Sequence, residues 1–488
     1  MIPLIGFAPD ASPQTPGVIV DCSAFIPFER GFKAAPTLTD PGVSALAAAC
    51  RGAAVLTKLD ASRRLFAGTQ TKLYELSGTS WTDASAVGDY TGNSENRWSF
   101  AQFGNVSLAS NTTEAIQYSN GSGDFAAIAG APKAKIIFTV SGFIMALHYD
   151  DGTATPDGWF CSGYQDYTVW TEAVSTQCAS GRLFGTPGPF TAGIRFGEEA
   201  LIFKDNTMYL GRYSGPPLIW QWSEIPGQVG CVGQDALADI STDASPMVFF
   251  VGNDGFYIYD GTRARPVGVG KTRAWFLQRV SQTFMYRVIV NYDKASRNVH
   301  IYYPSSGSST GAPDNCLVYN VQNDTWGFDV QRQVEAVLNY ISTGLTWHGM
   351  GTAYATWNDL PDIPYDSQFW SAGTATHAIF DTSHKLQQLT GFGSSGCSFQ
   401  TSAFGDNSLV STLSGFTPNF IVRPTTATHF NLYKMQLGDG WMSDPITNYY
   451  DNKFDCMRSA RWHASVVTTS GDMQIDRILP RLQKDGLR

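Results

Sequence analysis

The stretch "VGNDGFYIYDG", Val251–Gly261, reads as strand, tight turn, strand. Upstream, "PMVFFVG" has the apolar run of a buried strand. Asn253-Asp254-Gly255 is expected to supply the positive φ angles of a hairpin turn, and "FYIYDG" returns antiparallel. The same residues place Asp254 and Asp260 beside glycines, a pattern that also serves calcium loops and catalytic carboxylates. Recurrence separates the two readings: a site occurs once, a scaffold repeats.

The unit does repeat. "RRLFAGTQTKLYELSGTSW" (Arg63–Trp81), "VSLASNTTEAIQYSNGSGDF" (Val106–Phe125), "ALIFKDNTMYLGRYSGPPLIW" (Ala200–Trp220) and "HIYYPSSGSSTGAPDNCLVYNVQNDTW" (His300–Trp326) each read as strand, polar turn, strand, small-residue turn, aromatic. "HAIFDTSHKLQQLTGFG" (His377–Gly393) is a degenerate copy. Four copies share a register in which a tyrosine is followed seven positions later by an aromatic. These pairs are Tyr74–Trp81, Tyr118–Phe125, Tyr213–Trp220 and Tyr319–Trp326. A strand pair that turns over in a few residues puts its flanking aromatics on one face, where they pack. A β-meander of about 40 residues repeated along a chain builds propeller blades. The expected fold is therefore all-β, a propeller of six or seven blades, with Asn253, Asp254 and Gly255 as turn residues and Asp260 as scaffold.

Composition suits that fold. The chain has 488 residues and 43% hydrophobic residues, enough for a sizeable core. Charged residues are only 15%, against about 25% in a typical soluble domain. Either neighbouring subunits cover much of the surface, or Ser/Thr/Gly/Asn loops replace charge. The net charge of −9 argues against gripping nucleic acid along its length, because that affinity comes from Lys and Arg on phosphates. It does not argue against a protein that DNA passes without sticking. The closest of the eight cysteines, Cys161 and Cys178, are seventeen positions apart, so zinc knuckles are not expected and buried reduced thiols are. The start "MIPLIGFAPDASPQTPG" lacks the basic segment of a signal peptide. The longest nearly apolar run, "IIFTVSGFIMALHY" (Ile136–Tyr149), is too short and too broken at Ser141-Gly142 to span a bilayer.

Chemistry-bearing motifs are scarce. None of the seven histidines, His148, His300, His348, His377, His384, His429 and His463, forms HExxH or HxH, so surface or loop positions are expected. His377 and His384 flank a turn where they could meet. Asp150-Asp151-Gly152 and Asp157-Gly158 lack the order of a calcium loop. "PVGVGKTR" (Pro266–Arg273) has the wrong glycine spacing for a P-loop, a motif that also needs a helix after it. No nucleophile elbow is present. "VQNDTWG" (Val321–Gly327) only brushes the aspartate box of glycosidase propellers. The expectation is thus no catalytic, cofactor-binding or metal site, and no enzyme.

Three segments follow from the pattern: an extended N-terminal arm over 1–35, the propeller with insertions over 36–394, and a C-terminal β-module over 395–488 for docking. In the last, strands are longer, Arg458, Arg461, Arg477, Arg481, Lys484 and Arg488 gather, and a final hairpin is expected around Ser470-Gly471-Asp472. "VSALAAACRGAAVL" (Val43–Leu56) reads as extended. "RQVEAVLNYIS" (Arg332–Ser342), with Val334, Val337, Leu338 and Ile341 at helical spacing, is the better helix candidate.

The motifs, in their order, resemble a family. "CRGAAVLTKLDASRRLFAGTQTKLYELSGTSWTDAS" (Cys50–Ser85) looks like the first repeat of the tail nozzle, or tail hub, proteins of short-tailed bacteriophages. Upstream, "VIVDCSAFIPFERGFKAAPTL" (Val18–Leu38) carries Phe25-Ile26-Pro27 and Gly31 where that family introduces its propeller. "VFFVGNDGFYIYDGTRARPVG" with "NCLVYNVQNDTWGFDV" resembles its later blades, and "RSARWHASVVTTSGDMQI" its closing hairpin. The resemblance implies a structural subunit without enzymatic activity or cofactor. It implies a homohexameric ring below the head-to-tail adaptor protein, which retains packaged double-stranded DNA, lines the channel for its ejection and carries tail fibres or spikes. Its place would be the virion tail, after synthesis in the host cytoplasm. Lumen-facing loops are then expected to be poorer in Lys and Arg than the outer face. The alternative is a carbohydrate-binding or glycan-hydrolysing propeller, which would show a funnel with two or more carboxylates beside exposed Trp. A generic propeller hub would be a monomer in solution.

Overall fold

Seven four-stranded antiparallel blades follow one another along the described residues of the computed structural model. It describes all residues except 87, 243–244, 342–355, 357–359, 361–374, 392, 437 and 487–488, so His348 lies outside the described residues. Blade 1 runs Ala53–Thr57, Arg63–Gly68, Leu73–Ser77, Ser80–Asp83. Blade 2 opens at Ser99–Phe103, blade 3 at Lys133–Val140, blade 4 at Ala192–Phe196 and blade 5 at Leu237–Asp239. Blade 6 is Ile289–Asp293, Asn298–Tyr303, Asn315–Asn320, Thr325–Phe328. Blade 7 combines Ala336–Ile341, Ala375–Phe380 and Leu386–Leu389 with Leu38–Thr39 from the other end of the chain. Six blades are separate sheets, and the seventh, blade 6, continues into a larger one. The ring closes where Ala336–Ile341 packs on Ala53–Thr57. Every repeat unit expected from the sequence is a blade, and the fold is an all-β propeller.

The opening stretch sits in blade 5, where Gly252 pairs with Gly255 across a two-residue turn. Of the three turn residues only Gly255 takes a positive φ, +148°. Asp254 accepts bonds from the Tyr257 hydroxyl at 2.7 and 2.8 Å and pairs with Arg273. Asp260 accepts the Thr262 N–H at 3.0 Å. Asp260 is held within its own turn, and Asp254 by its own hairpin and by Arg273.

The termini form a platform of two sheets. Phe25–Pro27 pairs with the edge of blade 6 through Phe25 and Phe328, then with Phe32–Ala34, which pairs with Gln474–Gly486. That last strand pairs along Val410–Val422, both thirteen residues long. The second sheet orders Gly6–Phe7, Val18–Ser23, Ser394–Thr401, Trp462–Gly471, Thr426–Lys434 and Met442–Ser443. Residues 1–35 are therefore not a separate arm: they are strands inside the module expected over 395–488. The core is shared, with Phe25 stacked on Phe32 at 4.8 Å and tilted against Phe399 at 5.0 Å.

Two local expectations are corrected. The helix expected over Arg332–Ser342 is not seen among its described residues: Ala336–Ile341 is the innermost strand of blade 7, with Ala336 and Leu338 buried and Val337 and Asn339 half-buried. Pairing with Ala375–Phe380 outweighs a weak helical period carried by β-branched residues. The final hairpin is no hairpin either. After Gly471 the chain leaves one platform sheet and enters the other, so Trp462–Gly471 and Gln474–Gly486 do not pair.

Gly327 marks the seam between propeller and platform. A Cβ there would overlap the Phe25 carbonyl oxygen and lie 2.7 Å from Pro27 Cδ. Gly327→Ala is expected to cost about 1–3 kcal/mol, read as a lowered urea midpoint. An unchanged midpoint would mean the two strands are not apposed as described.

Candidate functional site

Aromatic pairs seal the blades to one another. Phe66 meets Phe125 between blades 1 and 2 at 5.0 Å, and Tyr118 meets Tyr167 between 2 and 3 at 5.4 Å. Phe143 meets Trp220 between 3 and 4 at 5.6 Å, and Phe203 meets Phe250 between 4 and 5 at 4.9 Å. Phe256 meets Trp326 between 5 and 6 at 4.9 Å, and Phe380 meets Trp81 between 7 and 1 at 5.9 Å. The eight aromatics singled out in the sequence thus act mainly across blades. Only Tyr213–Trp220 and Tyr319–Trp326 are also directly cross-strand, with centroids 6.2 and 4.7 Å apart. Tyr74 lies opposite Asp83 and Tyr118 opposite Ala126, so their expected partners Trp81 and Phe125 are displaced from them.

The propeller's own axis holds a cavity of about 320 Å³, bordered by the innermost strands of all seven blades. Its mouth is bolted across. Arg97 of blade 2 reaches Asp235, leading into blade 5, at 3.5 Å, and donates to the Glu335 carbonyl beside blade 7 at 3.3 Å. Glu95 pairs with Arg287 and accepts the Tyr286 hydroxyl at 2.7 Å. Glu335 accepts the Cys50 N–H at 2.8 Å and lies 2.7 Å from His384 Nδ1. Burial raises the Asp235 carboxyl and lowers the Arg51 guanidinium and the Lys135 ammonium.

A surface cleft of about 750 Å³ lies between blades 2, 3 and 4. Tyr164 and Tyr213 stack there, 6.0 Å apart with nearly parallel rings. Its two carboxylates are each held by an arginine, Glu198 by Arg195 at 3.1 Å and Glu199 by Arg212. Trp441, the one tryptophan exposed among the described residues, is far along the chain in the platform under Lys434.

Histidines depart from expectation. His300, His377, His429 and His463 are buried, and burial lowers the pKa of each. His377 does not meet His384; it stacks on His300 at 4.1 Å. Their neighbours Cys316 and Asp329 complete a set of ligand-type atoms that sequence spacing did not reveal, because it assembles across strands. All eight cysteines are free and seven are buried. Asp150 caps its own turn through the Gly152 N–H at 2.9 Å, and Asp157 pairs with Arg182 at 2.8 Å. A helix does follow Gly270-Lys271-Thr272, at Arg273–Arg279. Its first amides are taken by Asp10, at 2.7 Å from Ala274 N and 2.8 Å from Trp275 N, and Lys271 pairs with Asp324 at 2.6 Å. A carboxylate thus occupies the place a phosphate would need.

The fold and these contacts define a propeller mounted on a platform built from both chain ends. No family model matches the chain, and no curated protein sequence matches it. Among solved structures, YCF48 bound to D1 peptide is similar at 11% identity and TM-score 0.40, over 72% of this chain and 94% of that one. YCF48 from Cyanidioschyzon merolae is similar at 10% identity and TM-score 0.40, over 73% and 98%. The Mitotic Checkpoint Complex follows at 9% and 0.40, over 73% and 95%. Among the described residues no helix is long and apolar enough to cross a membrane.

Proposed function

We propose that this chain is a structural, non-enzymatic subunit of the tail nozzle of a short-tailed bacteriophage. In this reading it repeats around a ring below the adaptor protein, retains packaged DNA, lets it pass on ejection and carries fibres or spikes outside. The observation that carries a ring is the distribution of exposed apolar side chains. Of the twenty large hydrophobics exposed among the described residues, nine lie between 421 and 482, including Met435, Met442, Ile446, Tyr450 and Met457. Such surface on one module marks a contact with another protein. The propeller axis supports the same reading by exclusion. A cavity of about 320 Å³ is of small-molecule size, whereas the major groove of a duplex alone is about 12 Å wide. A DNA conduit must then lie between copies. A net charge of −9 suits walls that do not hold phosphate.

The test is mass in solution and in projection. The full chain is expected to form a six-copy ring with an axial hole by light scattering and electron microscopy. The double variant Ile446→Asp/Met457→Asp is expected to stay monomeric with an unchanged circular dichroism spectrum, since both side chains are exposed on the single chain. A wild-type monomer across the micromolar range, or release of sugars from a surface polysaccharide, would overturn the reading.

A further inference from the structure

Among the described residues, six of the seven blade interfaces are sealed by pairs of Phe, Tyr or Trp rings, whereas histidines meet between blades 6 and 7. There His300 stacks on His377 at 4.1 Å, and behind them lie Tyr302, Cys316 and Asp329, all buried. Replacing such a polar set by apolar residues is often neutral or stabilising, so its presence calls for a ligand. From the arrangement we infer a transition-metal site, best suited to Zn²⁺, held by His300, Cys316 and Asp329 of blade 6.

The three side chains come from consecutive strands. His300 lies on Asn298–Tyr303, Cys316 on Asn315–Asn320, and Asp329 directly after Thr325–Phe328. One ligand atom of each lies within 4.8 Å of the other two, and Cys316 Sγ is 3.9 Å from His300 Nδ1. Tetrahedral Zn²⁺ binds at about 2.0–2.3 Å from N, O and S donors, so small side-chain rotations bring the three onto one ion. A second observation points the same way. Asp329 is 1% exposed; its Oδ1 accepts the Val330 N–H at 2.6 Å and pairs with Arg332 at 3.1 Å, while Oδ2 has no partner. A buried carboxylate oxygen left bare is costly, and a cation is its natural complement.

The surroundings are those of a metal shell. His377 donates or accepts at both ring nitrogens, to Tyr302 Oη at 2.7 Å and to Asn291 Nδ2 at 2.6 Å, so it is committed as a neighbour and not as a ligand. Asn291 also reaches Asn339 Oδ1 at 2.9 Å, tying blade 6 to blade 7. His300 and His377 border a cavity of about 620 Å³, while Cys316 and Asp329 lie outside its lining. The donor set of one thiolate, one imidazole and one carboxylate favours Zn²⁺ over Mg²⁺ or Ca²⁺, which take all-oxygen shells. On binding, the Cys316 thiol gives its proton to solvent as the Zn–S bond forms, with no change of oxidation state.

The experiment uses the full chain, freed of any affinity tag. Wild type is expected to retain one Zn²⁺ per chain after desalting, measured by atomic emission. Co²⁺ substitution is expected to give the near-ultraviolet band of thiolate-to-cobalt charge transfer. Cys316→Ser, a conservative change, is expected to lose the band and the retained metal while keeping its circular dichroism; Cys178→Ser, in blade 3, is expected to keep both. Asp329→Asn is the second variant and is expected to lose retention. Added Zn²⁺ should raise the Tm of wild type and not of Cys316→Ser. Wild type that holds no Zn²⁺ or Co²⁺, or holds as much as Cys316→Ser does, would overturn the site and leave a hydrogen-bonded cluster only. Neither result bears on ring formation, so this inference and the proposed function fail separately.

Discussion

A chain lacking residues 1–39 is expected to yield no soluble, cooperatively folded protein. The deletion removes Leu38–Thr39, whose pairing with Gln388 and Leu389 supplies the outermost strand of blade 7. It also removes Val18–Ser23 and Phe32–Ala34, the strands that join Ser394–Thr401 and Gln474–Gly486 to the rest. Phe7, Ile19, Phe25, Ile26 and Phe32, each at most 3% exposed, leave the shared core. At about 1.5–3 kcal/mol for each large apolar side chain, five such losses sum to roughly 7–15 kcal/mol. That equals the whole stability of a typical domain, about 5–15 kcal/mol. The measurement is soluble yield, circular dichroism and thermal unfolding of the truncated chain. Phe25→Ala is the graded control and is expected to fold with a loss of about 3–5 kcal/mol. A truncated chain with a single cooperative transition near that of wild type would show that the ring closes without its N-terminal strand.

Acidification from pH 7 toward pH 4 is expected to destabilise the platform through its buried histidines. His429 is 1% exposed, flanked by Phe416 at 5.2 Å and Phe454 at 5.1 Å, and burial pushes its pKa from 6.5 to about 4. Asp444 pulls the other way and is outweighed; it is itself paired with Arg458. In the window between 6.5 and about 4 the unfolded chain binds a proton that the folded chain refuses. Stability therefore rises with pH there and falls on acidification. At about 1.36 kcal/mol per pH unit, His429 alone accounts for about 3 kcal/mol by the lower end. His463, also buried and lowered by burial, adds in the same direction. Asp166, Asp260 and Asp406 are held below their usual range by hydroxyl and N–H donors, so their contribution is lost only at lower pH. Urea unfolding at stepped pH reads the slope. His429→Asn is expected to be less stable at pH 7 and to lose less on acidification, so that the two curves converge. A wild-type profile flat between pH 6.5 and 4.5 would sink the assignment.

How far the sequence could be read depended on the distance over which each signal acts. The hairpin Val248–Gly252 to Gly255–Tyr259 was legible because a turn glycine and two apolar runs act within a dozen residues. Blade 3 was harder. Its first hairpin, Lys133–Val140 to Phe143–Asp150, turns at Ser141-Gly142, and without a polar turn it reads as one apolar run. The Tyr-to-aromatic register located residues that pack, yet misjudged what they pack on, since a side chain's facing blade is not encoded in its own hairpin. The cluster of His300, Cys316, Asp329 and His377 had no spacing signature, because its members meet through strand pairing and through the docking of blade 7.

Sequence alone determined the local pieces: the strands, most of their turns, the repeat that makes an all-β propeller, and buried thiols without zinc-knuckle spacing. Tertiary structure alone decided that Leu38 pairs with Leu389 and Phe25 with Phe328, that both ends of the chain interleave in one platform, and that one blade interface is polar. The reason is that turn geometry and side-chain alternation are short-range and leave a mark in every window. Pairings more than three hundred residues apart follow from which exposed edges and apolar faces remain once those pieces have formed.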